Sequence, residues 1–229
     1  MSAIVSNMQA VRRRIQTAAR AANRDPASVL LLAVSKTFGP GAVIEAAGAG
    51  QVDFGENYVQ EALDKIVAVR TTHPRLRWHY IGPIQSNKTR AVAEHFDWVH
   101  SIDREKIAHR LSEQRPPGLA PLQACIQVNV SGEATKGGVA PDQLFALASA
   151  VAAMPGLRLR GLMAIPEPEA DPARQRAPFA HLRALCEDLN GRGLALDTLS
   201  MGMSADLEAA IAEGATIVRV GTSIFGSRK

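Results

Sequence analysis

Lys36 closes an apolar run, LLAVSK, that is followed at once by Thr37, Phe38, Gly39 and Pro40. A short stretch rich in Leu and Val, ended by Gly and Pro, reads as a buried strand that stops at the lysine. Alternate strand residues share a face, so Lys36 points with Val34 and Leu32 and its amine stands at the rim of the core. Partial desolvation disfavours the ammonium and uncovers the free amine that adds to aldehydes, which makes Lys36 a Schiff-base candidate. A lone lysine at a strand end also snorkels into water, so its meaning depends on what the chain brings beside it.

Two later segments supply partners. SMGMS places the hydroxyls of Ser200 and Ser204 around Gly202 just before a helical pattern, and RVGTS places Gly221, Thr222 and Ser223 after the last apolar run. Small residues let the backbone approach an anion, and a helix N-terminus adds a favourable dipole, so together they read as a phosphate cup. Taken singly, Ser204 serves equally as a helix cap and Gly221 as a turn. Arg219 lies in the alternating run Ile217, Val218, Arg219, Val220, where one face of a buried strand carries a guanidinium. Such a group must be paired: either to an acid such as Glu56 or Asp103, or to an acceptor nitrogen of a ligand lying between Lys36 and the phosphate cup. An aldehyde-seeking amine, an anion site and a donor facing a ring nitrogen are the three needs of pyridoxal 5′-phosphate.

The elements that must position these groups alternate along the chain. The periodicity predicts strands over 29–34, 51–54, 77–81, 98–102, 124–130, 157–164, 198–201 and 217–220. Helices are predicted over 41–49, 58–69, 87–95, 104–113, 141–153, 178–190 and 205–213. Eight strands separated by helices predict a single-domain α/β fold, a (β/α)8 TIM barrel spanning 29–226, with an extra N-terminal helix over 1–24 closing its bottom. An open doubly wound sheet is the runner-up, but neither GxGxxG after a strand nor GxxxxGK[ST] is present. Two loops stand out by length: the Gly-rich residues 131–140 and the Pro-rich, charged residues 166–177, each read as lid or mobile surface.

Composition narrows the function. The 229 residues carry 26 Lys and Arg against 22 Asp and Glu, a formal charge of +4, but the basic residues are scattered and only 4% are aromatic. That argues against a nucleic-acid partner, which calls for a basic face or stacking aromatics. The cluster Arg12 to Arg14 reads as a solvated helix face. No apolar run is long enough to span a membrane. Cys125 and Cys186 have neither CxxC nor disulfide-framework spacing, which fits a reducing cytoplasm, and the six histidines show no metal spacing, so no metal is expected. The Arg-rich first 24 residues have helical spacing and a proper stop, which reads as a structural helix rather than a presequence.

LLAVSKT, FGENYVQE, HYIGPIQSNK, QVNVSGEATKGG, GLMAIP, LSMGMSADLEAAI and VRVGTSIFG resemble the motifs of the pyridoxal phosphate homeostasis proteins over nearly the whole chain. The resemblance implies a barrel similar to the N-terminal domain of alanine racemase, with pyridoxal phosphate on Lys36. It implies that Asn57, Ser200, Met201, Arg219, Gly221 and Thr222 belong to the cofactor pocket, beside Gly202 and Ser204. It implies no established turnover. The expected function is therefore reversible holding of the cofactor, buffering it and passing it to apoenzymes, by a cytoplasmic monomer without catalytic residues. An amino-acid racemase is the enzyme alternative. Racemisation needs a second acid or base opposite the lysine, supplied in alanine racemase-like enzymes by a tyrosine from an additional β domain for which this chain is expected to have no room. Tyr58 and Tyr80 read as packing residues and His79 as a satisfied core histidine. A lysine-dependent aldolase acting on a sugar phosphate fits Lys36 and the cup but leaves Arg219 unexplained.

Overall fold

The computed structural model describes residues 2–132 and 137–227. Eight parallel strands close into a barrel in sequence order: β1 Leu30–Val34, β2 Asp53–Glu56, β3 Arg77–Tyr80, β4 Trp98–Ile102, β5 Leu122–Gln127, β6 Leu157–Met163, β7 Thr198–Ser200 and β8 Ile217–Val220. Closure is made by β8 on β1, with Leu32 opposite Arg219. The outer helices are α1 Ala3–Ala21, α2 Pro40–Gly48, α3 Val59–Val69, α4 Thr89–His95, α5 Glu105–Gln114, α6 Leu144–Ala152, α7 Pro172–Gly191 and α8 Leu207–Ala212, followed by a short α9, Thr222–Phe225. Among the described residues no helix is long and apolar enough to cross a membrane.

The predicted barrel is the one found, with shifts that have local causes. β2 starts two residues later than predicted, because the Gln51 amide turns inward to donate to the carbonyls of Leu31 and Asp53 at 2.7 and 2.8 Å. Gly55 and Glu56 consequently join the ladder. β5 ends at Gln127 rather than Val130, where Val128 leaves the ladder to bridge Val139. The loop expected over 166–177 is shortened because α7 already begins at Pro172; proline is favoured in a first helical turn, where its missing N–H has no partner to lose. The loop expected over 131–140 falls partly outside the described residues, at 133–136, as do the chain ends at 1 and 228–229.

The N-terminal helix is the main correction. It does not close the bottom of the barrel but fills a place in the outer layer, packed on α8, α9 and α2. Met8, Val11, Ile15 and Ala19 form its buried stripe. Polar contacts fix it: Asn7 donates to the Ile224 carbonyl, Arg14 to the Ser204 carbonyl and Glu208, and, just past its end, Arg24 to the Ile211 carbonyl. The Arg12 to Arg14 segment is thus not a wholly solvated face, since Arg12 also donates to the Ala49 carbonyl at 3.0 Å.

Inside the barrel, Leu32, Val34, Ile81 and Ile217 make a small apolar cluster of their own, with Leu30 and Trp98 against it. Polar groups share this interior. His79 and His100 are fully buried, and His79 stacks on Trp98 with ring centroids 5.4 Å apart. Burial holds both imidazoles below their ordinary value of 6.5, His100 far below. Asp53, Arg77 and Asp97 act on His79 from β2, β3 and the start of β4, while His79 and Arg219 act on His100. The folded chain therefore keeps these rings neutral where the unfolded chain protonates them, so stability is complete above about pH 6.5 and is lost as pH falls below it. Between about pH 7.5 and about pH 5.5 the loss should reach about 1.4 kcal/mol for each ring that stays neutral, read from urea unfolding midpoints. A loss no larger in the wild type than in a His79→Gln, His100→Asn double variant would contradict this.

Candidate functional site

At the C-terminal rim of the barrel, Ser35 still donates its N–H to the Gly55 carbonyl at 3.1 Å, so Lys36 is the first residue past the ladder. Thr37 then takes φ 70°, a left-handed conformation that a β-branched residue seldom adopts unaided. Its N–H is held by Glu61 Oε1 at 2.5 Å. The same oxygen accepts from Lys65 Nζ, one turn along α3, and Lys65 also donates to Glu56 Oε1 at 2.8 Å and to the Ser35 carbonyl at 2.7 Å. Ser35 Oγ completes the knot, donating to Glu56 Oε1 at 2.6 Å. Both neighbours of Lys36 are thus tied to one ion cluster in which the Lys65 and Glu56 side chains are 2% and 0% exposed. Burial pushes the Glu56 carboxyl up, and the Lys65 charge opposes this. The second oxygen, Glu56 Oε2, is buried with no partner.

Across the rim, the SMGMS segment is held from behind. Met201 is buried in the core and donates its N–H to the Ile217 carbonyl at 3.1 Å. Gly202 has φ 90°, and a Cβ there would lie 2.5 Å from that of Ala210, so only glycine fits; its carbonyl accepts the Arg219 N–H at 2.9 Å. Ser204 is not the cap of α8, which starts three residues later behind Asp206. Its hydroxyl instead accepts the Ser223 N–H at 3.4 Å, reaching from the loop after β7 to the loop after β8.

Arg219 pairs with neither Glu56 nor Asp103, which are engaged by Lys65 and Arg104. Its NH1 donates to the Ser200 carbonyl at 2.5 Å and to Ser200 Oγ at 2.9 Å, and its NH2 to the Ala164 carbonyl at 2.9 Å. Burial lowers it to about 10, which leaves it cationic at neutral pH.

Lys36, Asn57, Ser204, Arg219, Gly221 and Thr222 line one cavity of about 290 Å³. Ser200, Met201 and Gly202 stand behind it as supports and are not part of its lining. Val34, which shares the strand face of Lys36, and Ile81, with Ile165, Met203 and Ala205, complete the wall; Ile81, Ile165 and Ala205 carry no polar signal in the sequence beyond their places next to the strand ends. Asn57 Oδ1 is buried without a partner. Its backbone is pressed against Gly82, where an added Cβ would meet the Asn57 carbonyl oxygen, and its carbonyl accepts the Tyr80 hydroxyl at 3.1 Å.

The model of the alanine racemase N-terminal domain family matches residues 6–229. The relatives are narrower in kind. Pyridoxal phosphate homeostasis proteins of Pseudomonas aeruginosa and Escherichia coli are 65% and 52% identical, over 100% of this chain and 97% and 98% of theirs. PipY of Synechococcus elongatus, whose structure was solved with PLP bound, is 38% identical, with a TM-score of 0.86 over 97% of this chain and 100% of that one. The chain belongs to the alanine racemase N-terminal domain family and, within it, to the pyridoxal phosphate homeostasis proteins.

The ion cluster beneath Lys36 yields a direct prediction. Lys65→Met leaves the Glu56 carboxylate buried and unpaired, and should cost about 3–5 kcal/mol in urea unfolding. Adding Glu56→Gln to it should recover a large part of the loss. Equal losses in the single and double variants would show that packing rather than charge pairing dominates there.

Proposed function

We propose that this protein holds pyridoxal 5′-phosphate reversibly in the cavity at the barrel mouth, as a carrier that buffers the cofactor and releases it to apoenzymes. The observation that carries the reading is the meeting of three chemistries in one cavity: the Lys36 amine, the small-residue rim of Ser204, Gly221 and Thr222, and the Arg219 guanidinium. The residues present fit the group. The cavity is near the small end of ligand pockets, about 300 Å³, which suits one ring with a phosphate. The loops after β7 and β8, with the short extra helix α9, are where barrels of this kind commonly take a phosphate. The buried Asn57 Oδ1 awaits a donor, and the relative solved with PLP supports the choice.

When bound, the cofactor supplies an electrophilic aldehyde and an electron-withdrawing ring. Lys36 would hold the cofactor through its amine, which stands in the cavity wall where that aldehyde would be met. Ser204 and the amides of Gly221 and Thr222 would hold the phosphate. Arg219, which stays cationic, would face the ring nitrogen as a donor that keeps its own proton, and so would not hold that nitrogen protonated as an acid would. Among the described residues, the lining has no His, Tyr, Asp or Glu to act as a second proton carrier. Tyr80 is occupied by the Asn57 and Pro83 carbonyls, and burial pushes its hydroxyl up to about 12. These features favour retention over racemase turnover, in keeping with relatives named homeostasis proteins. A monomer in the cytoplasm meets the needs of such a carrier.

Adding pyridoxal phosphate should give a visible absorption band that Lys36→Ala abolishes. Loaded protein in heavy water, with a panel of amino acids, should leave their α-protons unexchanged by NMR. Exchange that depends on Lys36 would make the racemase reading the right one.

A further inference from the structure

A single line of hydrogen bonds runs through the barrel interior from one face to the other. At the start of β2 and β3, Asp53 is paired with Arg77, whose side chain is half exposed. Asp53 Oδ1 meets His79 Nε2 at 3.0 Å, His79 Nδ1 meets His100 Nε2 at 3.0 Å, and His100 Nδ1 meets Ser200 Oγ at 2.7 Å. Ser200 Oγ in turn lies 2.9 Å from Arg219 NH1, at the wall of the site. Every link is buried, and each ring nitrogen of both histidines is used.

The two ends dictate the direction of every donor between them. A guanidinium has only donors, so Ser200 Oγ accepts from Arg219; a carboxylate has only acceptors, so His79 Nε2 carries the hydrogen given to Asp53. Although burial alone would raise Asp53, the bonds from His79 and Arg77 outweigh it and hold the carboxyl below its ordinary value. A neutral His79 then offers a bare Nδ1, which His100 Nε2–H fills, and the bare His100 Nδ1 accepts the Ser200 hydroxyl hydrogen. The result is a chain with one order and no hydrogen left over. Its consequence falls on Ser200: with its hydrogen committed to His100, the oxygen can only accept from the guanidinium. Arg219 is then stopped at Ser200 Oγ, the Ser200 carbonyl and the Ala164 carbonyl, and its remaining edge is presented to the cavity in one orientation.

We propose that His100 is a positioning residue for the cofactor contact of Arg219, with His79 and Asp53 setting its tautomer from the opposite face of the barrel. The inference rests on the reading that Arg219 donates to the pyridine nitrogen. Without His100, the Ser200 hydroxyl regains a free hydrogen that competes for the lone pairs facing Arg219, and the guanidinium edge loosens.

Two experiments test it. In the cofactor-free full chain labelled with ¹⁵N-histidine, NMR at neutral pH should find His79 and His100 both neutral with hydrogen on Nε2, and Asp53→Asn should abolish that single state. A cationic ring or an Nδ1–H form at His100 in the wild type overturns the proposal, and an unchanged tautomer in Asp53→Asn removes Asp53 from it. The second experiment compares affinity for pyridoxal phosphate and for its 1-deaza analogue, which has carbon in place of the ring nitrogen. His100→Leu should weaken the first by about tenfold, the size of a degraded charge-assisted hydrogen bond, and barely change the second. His100→Asn, whose side-chain oxygen can take the Ser200 hydrogen as Nδ1 does, should restore most of the loss. Equal weakening of both ligands, or of neither, or no rescue by asparagine, overturns the proposal. If His100→Leu does not fold, the asparagine variant and the wild-type spectra still decide. Arg219→Gln is the control: if it too treats both ligands alike, the pyridine reading of Arg219 falls with the proposal, whereas discrimination by Arg219→Gln but not by His100→Leu defeats this inference alone.

Discussion

A guanidinium buried inside a barrel, with no carboxylate in a salt bridge to it among the described residues, is the constraint on which the site depends. Arg219 is satisfied by two backbone carbonyls and one hydroxyl, all supplied by the ends of β6 and β7. Dipoles can stabilise a buried charge only if they are aimed and cannot turn away, so the strands that supply them must be rigid and in fixed register. The backbone bonds of Met201 to Ile217 and of Arg219 to Gly202 provide that register on the β8 side. Gly202, in its left-handed conformation against Ala210, lets the chain make the turn between them. The cationic group thus survives in the interior because the barrel is closed around it.

The opposite wall solves a different electrostatic problem. Lys36 must stand at the edge of a strand with its neighbours immobile, and the chain achieves this with a second buried cation, Lys65, placed under the turn. Lys65 touches the backbone before Lys36, and its partner Glu61 touches the backbone after it. A buried ion pair is seldom the most stabilising choice for a core, but it is strongly directional, and here direction is what the turn requires. The site is therefore framed by two buried positive charges with different partners: carboxylates under Lys36, and neutral dipoles behind Arg219. That difference leaves the edge of Arg219 available for a ligand atom, while Lys65 is consumed in holding the frame.

TIM-barrel interiors are usually filled by branched apolar side chains in layers. Here Leu32, Val34, Ile81 and Ile217 follow that habit, but they share the interior with two imidazoles, a serine and an arginine that do not. The polar half is tolerable because it is satisfied link by link, from Asp53 to Arg219, and because Trp98 covers the His79 ring. The cost is acid sensitivity, since neutral buried imidazoles oppose the uptake of protons that the unfolded chain accepts freely.

The sequence by itself determined the order of strands and helices, the closed barrel, and the residues that gather at its C-terminal rim. Strand periodicity and the short, glycine-punctuated ends after β1, β7 and β8 are local signals, and they place Lys36, Ser204, Arg219, Gly221 and Thr222 at the rim without knowledge of any contact. Only the tertiary structure decided what these residues touch. Whether Arg219 met an acid or a dipole, whether α1 covered the bottom or the side, and whether His79 was idle or linked depended on pairs far apart in the chain, such as His100 with Ser200. The physical reason is that strand pattern reports which face a side chain takes, whereas its partner is set by the stagger of strands around the closed barrel, a property of the whole sheet and of no single segment.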